Sequence, residues 1–278
     1  MAKNKLVSPF VKWVGGKRQL LDSIMKVMPK NIRNDTYIEP FVGGGAVLFH
    51  IQPRNAIIND FNPELMNVYH VIKEEPEELI ADLKKHKNEP DYFYAIRQLD
   101  REEGFEKTDR VKRASRLIYL NKTCYNGLYR VNNAGEFNSP FGRYKNPNIV
   151  NEPVLRAVSS YLNSNNVQIC HTDYDDILKN VDKHSFVYLD PPYHPLSERS
   201  NFTGYVQGGW NMSDQRRLRE ACDDLTRRGI KFLLSNSASG FIMDLYRVYD
   251  INIVKATRSI NSDGEKRGKV DELLISNL

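Results

Sequence analysis

The stretch Ser185–Tyr193, with the sequence Ser-Phe-Val-Tyr-Leu-Asp-Pro-Pro-Tyr, constrains the fold more than any other part of the chain. Its apolar run, Phe186–Leu189, is typical of a strand buried on both faces, as in a parallel sheet. Two prolines cannot extend a hydrogen-bonded ladder, so the strand should end at Asp190. Because ligands of open α/β sheets bind beyond the carboxyl ends of the strands, we expect Asp190 to face a binding crevice.

The tip of this strand combines two hydrogen-bond acceptors with an aromatic face. The Asp190 carboxylate and the Pro191 carbonyl can accept from an amine, Pro192 restricts the backbone beside them, and Tyr193 offers a ring for stacking. This set suits a planar ring that carries an amino group. Taken alone, the motif fits equally well a strand that Asp-Pro-Pro simply terminates.

Two earlier strand ends have the pattern of an adenosine-type site. The segment Thr36–Gly45 predicts a strand and a glycine-rich turn before a helix, and glycine lets the backbone approach a ligand closely. A second strand, Asn55–Asn59, ends in Asp60, where a carboxylate can accept from the two hydroxyls of a ribose. The spacing matches neither a Walker loop nor a clean dinucleotide fingerprint, so ATP and NAD are not favoured.

A glycine pair, Gly15–Gly16, precedes Lys17 near the start of the chain. The apolar residues after it, Leu20 to Met28, follow a helical period that should stop at Pro29. Backbone N–H groups at such a helix start can hold an anionic or carboxylate ligand, and Lys17 adds a charge. A turn is the commoner explanation of a glycine pair.

Helical periodicity replaces the strand pattern after Pro63, and strands resume in the second half of the chain. We therefore divide the chain into an α/β domain of residues 1–62 and 160–278 and an inserted domain of residues 63–159. About seven strands with alternating helices predict a doubly wound α/β sheet, Rossmann-like, with one insertion.

Basic and aromatic side chains interleave in residues 122–145, which follow the inserted helices. Between residues 107 and 145, nine Lys or Arg stand against only Asp109 and Glu136. Such a field favours a polyanion partner, since arginine can read guanine through two hydrogen bonds and aromatic rings can wedge between bases. A polar hairpin with a solvated basic face, turning at Asn132–Gly135, explains the same composition.

In the second half of the chain, Ser213 is expected to cap a helix that Gly229 ends. The segments Gly204–Trp210 and Thr257–Asp271 are expected to be flexible loops.

Composition places the protein among globular chains with a sizeable core, since 40% of its 278 residues are hydrophobic. No stretch approaches the roughly 18 apolar residues of a membrane span, and the start has no secretory pattern, so a cytoplasmic location is expected. The three cysteines are far apart and lack metal-ligand spacing, which predicts reduced thiols and no zinc site. A monomer is the default oligomeric state.

Together these motifs resemble the Dam-like DNA adenine methyltransferases, the amino-methyltransferases of the α motif order. The resemblance covers nearly the whole chain in the family's order: Phe10–Lys17, Glu39–Gly45, Asn59–Asp60, Asn126–Arg130 through Lys145, Asp173–Tyr174 and Asp190–Tyr193. It implies a seven-stranded methyltransferase sheet, S-adenosylmethionine as methyl donor, and the exocyclic N6 amine of adenine in double-stranded DNA as acceptor. It suggests 5′-GATC as the methylated site, with base flipping and direct transfer.

The resemblance also assigns roles by position. Catalytic positions are Asp190, Pro191, Pro192 and Tyr193. Cofactor contacts fall on Trp13, Lys17, Glu39, Pro40, Phe41, Gly43, Gly45, Asp60, Asp173 and Tyr174. DNA contacts fall on Lys12, Tyr125, Asn126, Leu128, Arg130 and Arg143, and residues 197–205 should form a loop around the extruded base. The assignment is compatible with a cognate restriction endonuclease that acts on the same DNA site and makes no direct contact with this protein.

Other functions stay open at this point. The same strand tip serves methyltransferases of the cytosine N4 amine, of RNA and of protein glutamine, although Asp190 and the DNA-type hairpin favour adenine. A catalytically silent DNA-binding protein should have lost Asp190, Tyr193 or the glycine turn, and all are present. A purely structural α/β domain gives no reason for the adenosine-type residues and the basic hairpin to occur together.

Overall fold

The computed structural model describes residues 3–30, 32, 35–196, 210–257 and 269–278. Its strands are β1 (Thr36–Glu39), β2 (Asn55–Asn59), β3 (Asn166–Cys170), β4 (Ser185–Leu189), β5 (Lys231–Ser237), β6 (Asp250–Thr257) and β7 (Lys269–Ser276). They form one sheet in the order β3-β2-β1-β4-β5-β7-β6. The seven-stranded α/β sheet predicted from the sequence is confirmed.

Helices connect the strands and pack on the sheet. They are α1 (Leu21–Val27), α2 (Ala46–Ile51), α3 (Pro63–Glu74), α4 (Pro76–Leu83), α5 (Pro90–Gln98), α6 (Arg110–Thr123), α7 (Glu152–Ser164), α8 (Tyr174–Lys179), α9 (Met212–Arg227) and α10 (Gly240–Leu245). Helices α3 to α7 all lie between β2 and β3, where the sequence predicts an insertion.

The sheet is parallel on one side and mixed on the other. Strand β1 pairs in parallel with β2 and β4, β2 with β3, and β4 with β5. Strand β7 runs antiparallel to both of its neighbours, β5 and β6. The strand order reverses between β1 and β4, and ligands of such sheets bind beyond the carboxyl ends of the strands at this switch point. The expected site therefore lies at the ends of β1 and β4.

Strand β4 is the central element, and all five of its residues are buried. Phe186 and Tyr188 belong to the apolar core on one face of the sheet. Val187 and Leu189 belong to the core on the other face. Successive side chains of a strand point to opposite faces, so an unbroken apolar run is what a strand covered on both sides requires.

The inserted helices share the core of one sheet face. Val68 on α3 and Leu120 on α6 lie in the same apolar cluster as Tyr37 on β1. Within the described residues, then, the helical region has no core of its own. The division at residue 63 coincides with the start of α3, and the division at residues 159 and 160 falls inside α7.

The start of α9 corrects one prediction. Its N-cap is Asn211 and not Ser213, because the Asn211 side chain accepts from the N–H groups of Ser213 and Asp214. The Asp214 carboxylate in turn accepts from the Asn211 N–H, which completes a capping box. Ser213 already lies in the first turn. Gly229 follows the helix with a φ of +72°, as the sequence predicts for its end.

The predicted flexible loops lie mostly outside the described residues, as does the whole of 197–205. Cys124, Cys170 and Cys222 are free thiols, and Cys124 and Cys222 are buried. Of the helices in the described ranges, none is long and apolar enough to cross a membrane.

A matched pair of glycine substitutions tests the packing around the turn after β1. Gly45 has a φ of +71°, and a Cβ there would lie 2.6 Å from Tyr69 Oη and 2.7 Å from a ring carbon of Phe49. Gly229 has a φ of +72° and nothing within 4 Å of the added atom. We expect Gly229→Ala to cost about 1–2 kcal/mol through backbone strain. Gly45→Ala should cost about 1–3 kcal/mol more, because the added atom overpacks the core.

Urea unfolding of both variants measures this difference. Equal free energies of unfolding would contradict the close packing around Gly45.

Candidate active site

The centre of the site is an ion pair at the tip of β4. Lys17 Nζ lies 2.8 Å from Asp190 Oδ1. It also lies 4.6 Å from the centroid of the Tyr193 ring and donates to the Gly15 carbonyl. Lys17 is only 5% exposed. The glycine-pair segment therefore delivers a buried ammonium group to the strand tip, whereas the sequence assigned Lys17 to the cofactor.

The electrostatic state of Asp190 follows from its surroundings. Burial raises the pKa of the Asp190 carboxyl to about 6, and the neighbouring carboxylates of Glu272 and Asp60 push it in the same direction. The Lys17 ammonium opposes this shift. The carboxyl therefore remains mostly ionised at neutral pH and can accept hydrogen bonds from an amine.

The Tyr193 hydroxyl donates to Glu272 Oε2 at 2.8 Å. Glu272 lies near the start of β7, opposite Ser237 at the end of β5. Because β7 is antiparallel, its early residues reach the edge where the parallel strands end. Sequence reasoning missed Glu272, since no local motif reveals the direction of the last strand.

A chain of buried side-chain amides holds the backbone after Asp190. Gln215 Nε2 donates to the Pro192 carbonyl at 2.9 Å, and Gln215 Oε1 accepts from Asn236 Nδ2 at 3.1 Å. Asn236 Oδ1 accepts from the His194 N–H at 3.1 Å. No described residue donates a hydrogen bond to the Pro191 carbonyl. That carbonyl, which is the predicted second acceptor, is thus left open while its neighbours are fixed.

The glycine turn after β1 is braced by the residue at the end of β2. Asp60 accepts from the Gly43 N–H and the Asn62 N–H, each at 3.0 Å. Tyr69 Oη donates to the Gly43 carbonyl at 2.9 Å. Trp13 lies against the turn, since a Cβ at Gly43 would come within 2.8 Å of its ring. These contacts bring together the predicted cofactor residues of three separate segments.

Glu39 and Pro40 fix the end of β1. Tyr37 Oη donates to Glu39 Oε2 at 2.8 Å. Burial, helped by nearby Asp190, raises the pKa of the Glu39 carboxyl well above its usual range. The buried Asn59 side chain donates to the carbonyls of Pro40 and Thr172, each at 3.1 Å, and so ties the ends of β1, β2 and β3 together.

An aromatic group lines the side of the site towards β3. The rings of Phe41 and Tyr174 lie 5.2 Å apart, and Trp210 contacts both at 5.7 and 5.8 Å. Asp173 caps α8 and accepts two bonds from Arg217, at 2.8 and 3.0 Å. The sequence analysis identified Asp173 and Tyr174 but missed Arg217, which pairs with one and lies 4.9 Å above the ring of the other.

One buried amide joins Lys12 to the turn that carries other predicted DNA-contact residues. Asn121 Oδ1 accepts from the Lys12 N–H at 2.8 Å, and its Nδ2 donates to the carbonyls of Lys12 and Gly127. The N-terminal segment is thereby attached to the turn that carries Tyr125 and Asn126. The Tyr125 side chain is 58% exposed.

Two of these residues have unusual backbone conformations. Asn126 and Arg143 have φ values of +58° and +53°, and Gln52 is the only other non-glycine residue with positive φ among those described. Both side chains are exposed. A non-glycine residue with positive φ costs energy, and such residues concentrate at functional sites. Leu128 is half-buried, and Arg130 donates to Asn138 Oδ1 at 2.6 Å, so this guanidinium is already partly engaged.

The predicted hairpin turn at Asn132–Gly135 is confirmed. The Asn132 N–H donates to the Glu136 carbonyl at 2.9 Å, and Asn132 Oδ1 accepts from the N–H groups of Ala134 and Glu136 at 3.0 Å. A single antiparallel bridge, Val131 with Phe137, continues the hairpin.

The positive field of residues 107–145 is weaker than the charge count suggests. On α6, Arg110 pairs with Glu74 and Glu75, Arg113 with Glu64, and Arg116 with Asp100. These arginines hold the inserted helices together, which counting charges along the sequence does not reveal. Positive charge is instead concentrated near Lys122, where burial and the nearby Lys12 and Arg18 lower the pKa of its ammonium to about 8.

A family model described as D12 class N6 adenine-specific DNA methyltransferase matches residues 13–260. The chain belongs to this family. Type II methyltransferase M1.LlaDCHI of Lactococcus lactis subsp. cremoris is 42% identical, over 100% of this chain and 98% of its own. Type II methyltransferase M.MjaIII of Methanocaldococcus jannaschii is 44% identical, over 98% and 99%. DNA adenine methylase of Escherichia coli K12 is 36% identical, over 99% and 95%.

The protein is therefore an adenine-specific DNA methyltransferase of the D12 class, which confirms the enzyme class predicted from the sequence. The site geometry agrees with this chemistry, since Asp190, the Pro191 carbonyl and Tyr193 lie together at the switch point of the sheet.

The activity of this D12-class methyltransferase should depend on pH through Asp190. The pKa of that carboxyl is raised to about 6, so it is ionised above this pH and protonated below it. A protonated carboxyl loses acceptor capacity, and we expect kcat/KM to fall about tenfold per pH unit below pH 6. A profile of kcat/KM from pH 4.5 to 8 at constant ionic strength measures this decrease, which is the acid limb of the profile.

The variant Lys17→Met removes the charge that opposes the shift and should move the limb to higher pH. An acid limb near pH 4 in the unmodified enzyme would contradict this account of Asp190.

Proposed function

We propose that this methyltransferase transfers a methyl group from S-adenosylmethionine to the N6 amine of adenine within 5′-GATC in duplex DNA. The observation that supports the catalytic part is the strand tip of β4, where one charged acceptor, one open carbonyl and one aromatic ring meet beside the glycine turn. The choice of GATC rests on the similarity of residues 126–145 to the recognition hairpin of Dam-like enzymes.

The residues around the glycine turn suit S-adenosylmethionine. Gly43 and Gly45 let the backbone approach a ligand, and the aromatic group of Phe41, Tyr174 and Trp210 offers a wall for a purine ring. Each Asp60 oxygen accepts one backbone N–H and keeps a lone pair for a ribose hydroxyl. The neighbouring carboxylates favour a positively charged group. When bound, this cofactor supplies a methyl group on a sulfonium, which needs no further activation.

Positioning and electrostatics are then the main tasks of the protein. The adenine amine is a poor nucleophile, because its lone pair is delocalised into the ring. Asp190 and the Pro191 carbonyl would accept its two hydrogens, which favours a pyramidal nitrogen with its lone pair directed at the methyl group. Lys17 contacts Asp190 Oδ1, and the carboxylate has a second oxygen that can accept from the amine.

An adenine inside a duplex cannot reach this strand tip, so the base has to be flipped out of the helix. Tyr193 would stack on the extruded ring, and the exposed Tyr125 would fill the space left in the DNA stack. Residues 197–205, which are proposed to close around the base, lie outside the described part of the chain.

Sequence choice is assigned to Lys12, Leu128, Arg130 and Arg143, with Asn126 beside Tyr125. Their support is the attachment of Lys12 to the turn at Gly127 through Asn121 and the positive φ values of Asn126 and Arg143. Two relatives named as type II methyltransferases support a role in restriction-modification, with a cognate endonuclease that recognises the same site without direct contact. We further propose that the protein acts as a monomer in the cytoplasm.

The substitution Asp190→Ala tests the catalytic assignment. We expect it to leave cofactor and DNA affinity within a few fold and to lower turnover by at least about a hundredfold, the effect of removing a preorganised charged acceptor. Single-turnover transfer of labelled methyl to a GATC duplex gives the rate, and a duplex already methylated at the adenine is the control. Unchanged turnover would refute the role of Asp190.

The exposed pair Arg143 and Lys145 tests the recognition assignment. Arg143→Ala should reduce the preference for GATC over duplexes changed at one position, because a base contact contributes about 1–3 kcal/mol of discrimination. Lys145→Ala should weaken binding to all duplexes alike and reduce its salt dependence. Methylation rates on the duplex set decide the matter: an unchanged preference in Arg143→Ala would contradict the base-reading role.

A further inference from the structure

Glu272 stands out among the charged groups of the site because the proposed reaction gives it no task. It accepts from Tyr193 Oη at 2.8 Å and belongs to a strand with a partner on each side. Its backbone pairs with Ser237 on β5 and with Val254 on β6. Two ladders therefore hold the carboxylate in place, and the acceptor is far more rigid than a loop side chain would be.

The rest of the Tyr193 environment restrains the ring only partly. The Lys17 ammonium lies 4.6 Å from its centroid, and the amide chain from Gln215 and Asn236 fixes the neighbouring backbone at Pro192 and His194. These contacts fix the backbone position from which the Tyr193 side chain extends. The bond to Glu272 fixes its far end, which determines how the ring is tilted.

We propose that Glu272 is a positioning residue, which holds the Tyr193 ring at the tilt that places a stacked adenine with its N6 amine against Asp190 and the Pro191 carbonyl. This inference rests on the proposed roles of Asp190 and Tyr193. A small tilt of the ring displaces the amine at its edge, and reacting atoms need close alignment for transfer. Binding of DNA through the recognition residues would not depend on the tilt.

The charge of Glu272 has a second effect that can be separated from the first. Glu272 helps to raise the pKa of the Asp190 carboxyl, together with Asp60 and against Lys17. Asp60 and Glu39, the other carboxyls close to Asp190, remain in every variant. Glu272→Gln keeps an oxygen that accepts from the tyrosine hydroxyl but removes the charge. Glu272→Leu removes both.

A double-mutant cycle on the full-length enzyme tests the proposal. The variants are Glu272→Leu, Tyr193→Phe and their combination, with Glu272→Gln as the matched control. The measurements are the single-turnover rate, the KM for a GATC duplex, and the fluorescence of 2-aminopurine at the target position, which reports how an extruded base stacks. Urea unfolding shows whether each variant is folded.

Glu272→Leu should lower the single-turnover rate about tenfold or more, as expected for losing a hydrogen bond to a charged group, with the KM for DNA changed less than about threefold. Tyr193→Phe should have a similar effect, and the double variant should be no slower than the slower single variant. The fluorescence of 2-aminopurine should change in all three. Glu272→Gln should keep most of the rate and shift the acid limb to lower pH.

Two results would overturn the proposal. An unaltered rate in folded Glu272→Leu would show that the bond does not position the ring. Fully multiplicative losses in the double variant would show that Glu272 acts by a route other than the Tyr193 hydroxyl. If Glu272→Leu does not fold, Tyr193→Phe with unchanged rate and fluorescence overturns the proposal in the same way. Loss of turnover in Asp190→Ala, measured alongside, keeps failure here distinct from failure of the proposed reaction.

Discussion

A carboxylate that must stay ionised in a buried place is the constraint on which the site depends. Burial alone would push Asp190 towards its neutral form, which is a weaker acceptor for an amine hydrogen. The Lys17 ammonium at 2.8 Å opposes that tendency. The glycine-pair segment, remote in sequence from β4, folds against the strand tip to supply it. An ion pair of this kind offsets only part of its desolvation cost, since the pKa of Asp190 still rises to about 6, and its value here lies in the charge state that it preserves.

The groups around this ion pair hold the rest of the site in place. Gln215 and Asn236 hold the backbone on either side of Tyr193, and Asp60 holds the glycine turn. The site thus combines a charged acceptor with a rigid frame.

Features encoded by neighbouring residues could be predicted from the sequence, and features that depend on strand direction could not. Local sequence reveals the apolar run of β4, the glycine turn and Asp60, because burial and backbone conformation restrict which residue types can occupy these positions. Glu272 enters the site only because β7 runs antiparallel to β5. The helical arginines illustrate the same limit, since Arg116 is paired with Asp100 and is 7% exposed, although in sequence it adds to a basic run.

The position of β7 between β5 and β6 has a consequence for how the protein is made. Strand β6 is synthesised before β7 but pairs with the sheet only through β7, so it has no partner until β7 has left the ribosome. The last-made strand must therefore enter between two earlier ones, and it brings with it the residue that contacts Tyr193. In a nascent chain that lacks β7, the glycine turn and the tip of β4 are already translated, but the edge of the sheet at β5 has no partner strand. Completion of the sheet and completion of the active site are then the same folding event.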